Sequence, residues 1–289
     1  MEKLLTTKDL SAAIGVSESS LRRWTDSGAI GTSRTPGGHR RIPLSEAVRF
    51  IRDTHATVIK PEILGLPDVG PASGVGGSAA EMLHSALLEG DAAKARGQVT
   101  AMYLNGMSVA AICDGPIRNA MQRIGELWRH EASGILIEHR ATDICIGAVG
   151  ALRQLLPEPS EIAPLAIGGT PAGDPYMLPS SMAAVVVAEA GWREANFGPR
   201  VPLELLADAA HDRDAGLVWL SISFIEDSAA LRKSIKKLAG HLAKQNRPLL
   251  IGGRCVDEVV LAKLDDVHVM RSMSELSAFA RGAARSKTA

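Results

Sequence analysis

The sequence predicts a multidomain α and α/β protein: a winged helix-turn-helix, then a four-helix bundle, then a five-stranded parallel doubly wound sheet. Three observations carry this. A chain of 289 residues is longer than one ordinary hydrophobic core supports. Residues 1–60 concentrate ten Lys/Arg against six Asp/Glu in a chain whose net charge is zero. From residue 160 onward, short and nearly continuous apolar runs alternate with helix-length segments, which is the pattern of βα units.

Composition narrows the class. The chain is 46% hydrophobic and 22% charged, an ordinary soluble balance, and only 3% aromatic, so abundant Ala, Leu, Val and Ile favour helices and parallel strands. No apolar run reaches the roughly 18 residues of a membrane span, and no signal peptide opens the chain, so no membrane partner is expected. Cys113, Cys145 and Cys255 are scattered and odd in number, matching neither a disulfide framework nor a metal motif. A reducing, cytoplasmic setting is the expectation, with no metal site.

Residues 1–56 read as a small basic reading head. Thr7 is an N-cap candidate, with Leu10, Ala13 and Ile14 on one face. Gly15-Val16 turns the chain, and Ser17 caps a second helix reaching Asp26, with Leu21 and Trp24 inward. Ser19, Ser20, Arg22 and Arg23 are left for the outside, where a second helix of this kind enters the major groove. Pro36-Gly37-Gly38 marks a turn between two short extended arms, flanked by Arg34, His39, Arg40 and Arg41. A hairpin crowded with cations suits phosphate contacts. A helix from Ser45 to about Thr54 closes the miniature core through Ala47, Val48, Phe50 and Ile51.

Residues 57–80 contain Pro61, Pro67, Pro71 and a Gly/Ser/Ala-rich run, and read as a flexible linker. No heptads follow the head, so no coiled coil is expected there. Residues 81–157 read as a four-helix bundle, with helices at Ala80–Leu88, Ala92–Asn105, Val109–His130 and Ile135–Leu156 joined by short glycine-containing links. Pro116 is expected to kink the third helix.

The bundle holds the stretch most suggestive of a site, Trp128 to His139. Ile124, Leu127 and Trp128 share a helix face, and Ile135 starts a helix that returns Glu138 and His139 toward the Trp. An apolar plate beside a carboxylate and an imidazole suits one face of a flat, polar-edged ligand. The same residues also read as a core Trp beside a solvated helix start.

Residues 160–289 carry five strands, at Leu165–Gly168, Arg193–Gly198, Gly216–Ser223, Pro248–Gly252 and Val267–Met270, with helices between and after them. Ligands in such sheets bind beyond the C-terminal strand ends. The loops there are Gly168–Pro179, Ser221–Phe224 and Gly252–Arg254.

The run from Leu5 to Ser17 and the run Arg34-Thr-Pro-Gly-Gly-His-Arg-Arg-Ile42 resemble the winged helix-turn-helix of the MerR family, which binds double-stranded promoter DNA as a dimer or higher oligomer. Trp-x9-Glu-His in a bundle, followed by a five-stranded βα domain with Gly252-Gly253 after its fourth strand, resembles the cobalamin-binding module. Joined to that head, the whole chain resembles the CarH-type light-responsive repressors. The resemblance implies adenosylcobalamin between bundle and sheet, with homotetramers that bind DNA in the dark and dissociate on illumination. It also implies that Trp128, Glu138 and His139 cover the upper face of the corrin. Ser221, Ser223, Gly252 and Gly253 would line the slot for its nucleotide tail.

One loop departs from that pattern. The family's Gly-Asp/Glu-x-His-x-x-Gly, whose His ligates cobalt from below, is here Gly173-Asp174-Pro175-Tyr176-Met177-Leu178-Pro179. A neutral phenol is a poor cobalt donor, and Pro179 replaces the final Gly. Arg129 stands where light-responding relatives place a second His. Three states stay open: cobalamin without a protein ligand on its lower face, another tetrapyrrole or planar ligand with His139, His130 or Tyr176 contributing polar contacts, or no ligand at all. The function expected is a non-enzymatic DNA-binding regulator, a repressor, whose oligomerisation follows ligand binding. The alternatives are a ligand-free anti-repressor or protein-interaction module, and a cobalamin-dependent methyltransferase or mutase subunit.

Overall fold

Five local signals set the N-terminal architecture, and each is visible in the computed structural model, which describes residues 3–35, 37–70, 79–127, 134–259 and 267–288. Strand β1 (Leu4–Leu5) precedes helix α1 (Thr7–Ile14). The cap of α1 is Thr6, one residue before the expected Thr7. Its hydroxyl accepts from the Asp9 N–H, and the Asp9 carboxylate accepts from the Thr6 N–H, a reciprocal capping box. Gly15 ends α1 at φ 70°, and Ser17 caps α2 (Glu18–Asp26). Strand β2 (Ser33–Arg34) pairs antiparallel with β3 (Arg40–Pro43), Arg34 facing Arg40, and β1 joins the other edge of β3. Helix α3 (Leu44–Thr54) closes the core, with Phe50 packed against Trp24 at 5.1 Å between ring centroids.

Residues 57–69, expected to belong to a flexible tether, are tied down instead. The N–H groups of Ile59 and Lys60 donate to the Ala13 carbonyl at 2.8 and 3.1 Å. Pro61 opens a short helix, α4 (Pro61–Leu64), where its missing N–H and fixed φ do no harm. Helix α4 packs on α1, and Asp68 pairs with Arg96 at 2.5 Å. Residues 71–78 of the expected tether lie outside the described residues.

Four helical segments follow. They are α5 (Ala79–Glu89), α6 (Ala92–Leu104), a third built from α7 (Val109–Ile112) and α8 (Arg118–Leu127), and α9 (Gly134–Leu155). Asp91 and Ser108 cap α6 and α7, their side chains accepting from the Lys94 and Ala111 N–H groups. The kink expected at Pro116 takes the form of a π-turn over Cys113–Ile117, which absorbs the missing proline N–H without ending the helix. Leu83, Leu87, Val99, Ile112, Ile124 and Leu152 form the buried interior. Head and bundle together make one unit, Met1–Pro157, and the remainder makes a second, Glu158–Ala289.

The second unit is a wholly parallel sheet of β4 (Leu165–Gly169), β5 (Arg193–Asn196), β6 (Leu217–Ser221), β7 (Leu249–Gly252) and β8 (Val267–Met270), in the order β5-β4-β6-β7-β8. Side chains alternate across it. Val218, Leu220 and Ile251 join Leu206 of α11 (Leu203–Asp212) and Leu238 of α12 (Ser228–Ala243) in one core layer. Trp219 faces the other layer, where α10 (Leu178–Glu189) packs on α14 (Met273–Thr288). There the fully buried Trp192 donates its indole N–H to the Ala280 carbonyl. A short helix α13 (Val256–Val259) follows β7. The order places the topological switch between β4 and β6, so the loops after those two strands define where a ligand is expected.

Candidate ligand cradle and nucleic-acid interface

The candidate residues of the head lie on α2 and on the hairpin. Ser19, Arg22 and Arg23 are exposed on α2, and Ser20 is half-buried. Within the helix, Ser17 bonds both Ser19 and Ser20, and Arg22 pairs with Glu18 at 2.8 Å. On the hairpin, Arg34, His39 and Arg40 are exposed and Arg41 is half-buried. The Arg40 guanidinium bonds the Asp26 carboxylate at the end of α2, linking hairpin to helix. Pro36, at the expected tip, lies outside the described residues, but the turn is closed by Thr35 N–H to the His39 carbonyl and Gly38 N–H to the Thr35 carbonyl.

A second feature of this unit has no counterpart in the sequence reading. Arg52, on α3, places its guanidinium 3.7 Å from the centroid of the Tyr103 ring on α6. It also donates to the carbonyls of Tyr103 and of Met107, the latter at 2.9 Å. Cation–π contact and bonds to carbonyls at a helix C-terminus act together there. The only sequence signal is an Arg in the last turn of an amphipathic helix, which ordinarily means a solvated cation.

Of the residues proposed to cover a ligand from the bundle, Trp128 lies outside the described residues, as do Arg129 and His130. Glu138 is half-buried and His139 exposed on the first turns of α9. Beside them Ile135 and Leu136 are exposed, Leu136 at 72% of its surface, so the start of α9 carries an uncovered apolar face.

The switch point is organised by Asp174, a residue not singled out by sequence. Its carboxylate is fully buried. One oxygen accepts the Tyr176 N–H at 2.9 Å, and the other accepts the N–H groups of Ser223 at 2.6 Å and Phe224 at 3.1 Å. The Thr170 hydroxyl donates to the Asp174 carbonyl. The loop after β4 is thereby stitched to the loop after β6. The third loop joins them: Arg254 donates to the Ser223 carbonyl at 3.1 Å, and the Cys255 thiol to the same oxygen at 3.3 Å. Gly253, at φ 110°, lets this loop lie against β6, since a Cβ there would sit 2.3 Å from the Ile222 carbonyl oxygen. Pro179 falls in the first turn of α10, which it initiates rather than obstructs.

In these loops Tyr176 at 37% exposure, Met177 at 36% and Phe224 at 44% remain partly open to solvent. The Arg254 guanidinium lies 5.2 Å from the centroid of the Tyr176 ring. Of the other proposed residues, Ser221 and Ser223 are buried and Gly252 is half-buried. Cys145 is an inert core thiol, pushed up to about 12 by burial. Among the described residues, no three His, Cys, Asp or Glu side chains are grouped to hold a metal ion, and no helix is long and apolar enough to cross a membrane.

Residues 4–54 match the helix-turn-helix domain family, and residues 79–153 match the B12 binding domain family. A dimethylamine corrinoid protein of Methanosarcina acetivorans is 26% identical over 137 residues, which is 46% of this chain and 63% of that protein, so the match stops short of the relative's full length. The solved structure of a monomethylamine corrinoid protein from Methanosarcina barkeri superposes with a TM-score of 0.51 at 16% identity, covering 69% of this chain and 95% of that one. At that identity the likeness concerns the fold. The chain thus combines a helix-turn-helix domain with a B12-binding fold.

Proposed function

We propose that this protein is a DNA-binding transcriptional regulator, a MerR-type repressor of the CarH kind, whose promoter occupancy is set by a corrinoid or related tetrapyrrole. The observation that carries the reading is the joining of a wing-bearing helix-turn-helix to a B12-binding fold in one chain. Residues 1–56 serve as reading head, 81–157 as bundle and 160–289 as the ligand-binding α/β domain. On the DNA side, Ser19, Ser20, Arg22 and Arg23 meet the major groove, while Arg34, His39, Arg40 and Arg41 neutralise phosphates.

The flat face of a macrocycle suits two uncovered apolar surfaces, Tyr176, Met177 and Phe224 at the strand ends and Ile135 and Leu136 at the start of α9. By the resemblance, Trp128, Glu138 and His139 are assigned to the upper face of the corrin, and Ser221, Ser223, Gly252 and Gly253 to the slot for its nucleotide tail. Homodimers or tetramers assembled through the C-terminal modules add avidity to weak individual heads. A ligand favouring the assembled state raises DNA affinity by linkage. The protein performs no catalysis in this reading, and the ligand acts as a signal, with light as one trigger of its release.

The test is fluorescence anisotropy of promoter-derived duplex DNA with the full chain, with and without adenosylcobalamin, dark and illuminated. Ligand-dependent affinity with a matching change in mass by light scattering is expected. DNA binding indifferent to every corrinoid leaves the ligand-free alternative. No DNA binding at all moves the protein to the anti-repressor class.

A further inference from the structure

We infer that the nucleotide-tail slot of this B12-binding fold is filled by the protein's own indole, so that the site selects a corrinoid by its macrocycle and leaves the tail outside. The inference rests on the corrinoid reading above. Ser221, expected along the slot, belongs to the face of β6 that also carries Trp219, two residues away. Trp219 is 2% exposed and lies in the layer between sheet and α10. Its indole N–H donates to the Ser180 hydroxyl of α10 at 3.1 Å, and Ser180 donates on to the Asn196 side-chain carbonyl of β5 at 2.9 Å.

The seat is built for that ring. Gly168, on neighbouring β4, has no Cβ, and one there would fall 2.3 Å from the Trp219 ring carbon Cδ2. The missing Cβ of Gly168 leaves room for the ring against β4, and the Ser180 hydroxyl, itself bonded to the Asn196 amide, fixes its N–H. An indole and the fused bicyclic base of a cobalamin tail have nearly the same outline, so the two are mutually exclusive occupants of one layer.

The mouth is closed by the same logic. The N–H groups of Ser223 and Phe224 are both taken by Asp174, and the Ser223 carbonyl accepts from Arg254 and Cys255, so these polar groups beside Ser221 are engaged within the protein. Tyr176 completes the account, because a base excluded from the protein is free to stay on its own cobalt, and no imidazole is then required from this loop. Tyr176 in place of His and Trp219 against Gly168 are thus two parts of one change, from reading tail and ring to reading ring alone.

The experiment compares two probes on the purified full chain by absorbance and calorimetry: cyanocobalamin, and dicyanocobinamide, which lacks the nucleotide tail. The expected result is affinities within about threefold of each other, with bound cobalamin keeping the spectrum of a base-coordinated cobalt. A cobalamin preference above about thirtyfold, or conversion to the base-off spectrum on binding, overturns the inference while leaving the corrinoid reading intact. Failure of both probes to bind overturns the two together. Trp219→Ala, provided its circular dichroism is native, should raise the cobalamin-to-cobinamide preference at least tenfold. An unchanged ratio in the folded variant removes Trp219 from the role assigned to it, and the wild-type titrations stand whether or not the variant folds.

Discussion

Asp174→Ala tests the stitching of the switch point most directly. The carboxylate satisfies three backbone N–H groups from two loops, and only one of those groups, that of Ser223, belongs to a fully buried residue. Leaving a buried donor without an acceptor costs about 1–3 kcal/mol, and a hydrogen bond to a charged group contributes about 1.5–3 kcal/mol. Tyr176 and Phe224 are exposed enough for water to replace part of their loss. The sum is about 3–5 kcal/mol, a large share of the roughly 5–15 kcal/mol that holds a domain together. Asp174→Asn retains one carbonyl oxygen, which turns toward Ser223 and Phe224 and leaves an NH2 facing the Tyr176 N–H. That variant should lose about 1–3 kcal/mol. Urea unfolding followed by fluorescence of the buried Trp192 and Trp219 reports the stability. Amide hydrogen exchange at Ser223 and Phe224 reports the loops. The expected order is wild type, Asn, Ala in both. An alanine variant that unfolds with wild type and keeps both amides protected would refute the reasoning, because it would mean the two loops meet without the carboxylate.

Three further outcomes follow from particular contacts. Arg52→Ala removes a cation–π contact of about 0.5–2 kcal/mol together with two bonds to carbonyls. Limited proteolysis within residues 57–70 should then accelerate several-fold, with Arg52→Lys intermediate because an ammonium cannot stack as a plane. Arg40→Ala with Arg41→Ala should weaken binding to all duplexes about equally and flatten the salt slope by about one to two per head. An unaltered slope, measured by anisotropy across a salt series, excludes the hairpin from the interface. Alkylation at pH 8 with peptide mapping should modify half-buried Cys255 and spare native Cys145, whose thiol burial has pushed up to about 12.

What the sequence determined by itself is what short-range chemistry determines. Ser17, Asp91 and Ser108 cap helices within three residues of themselves, the turn after Arg34 brings that residue opposite Arg40, and the apolar runs of β4, β6 and β7 announce strands buried on both faces. The Tyr176 departure was legible too, because a missing donor is a property of one position. Tertiary structure alone decided the rest. Pro61 and Pro67 mark breaks in a sequence, yet whether the chain around them hangs free or docks depends on Ala13 being near Ile59 and Lys60, and Arg96 near Asp68. Asp174 finds its acceptor role 49 and 50 residues away, Arg52 its ring 51 residues away, and Trp219 its serine 39 residues away. A carboxylate, a cation and an indole look the same in a sequence whether they face water or fill a gap. Only the approach of distant backbone decides which, since burial makes an unpartnered polar group costly and so commits each side chain to the partner that packing supplies.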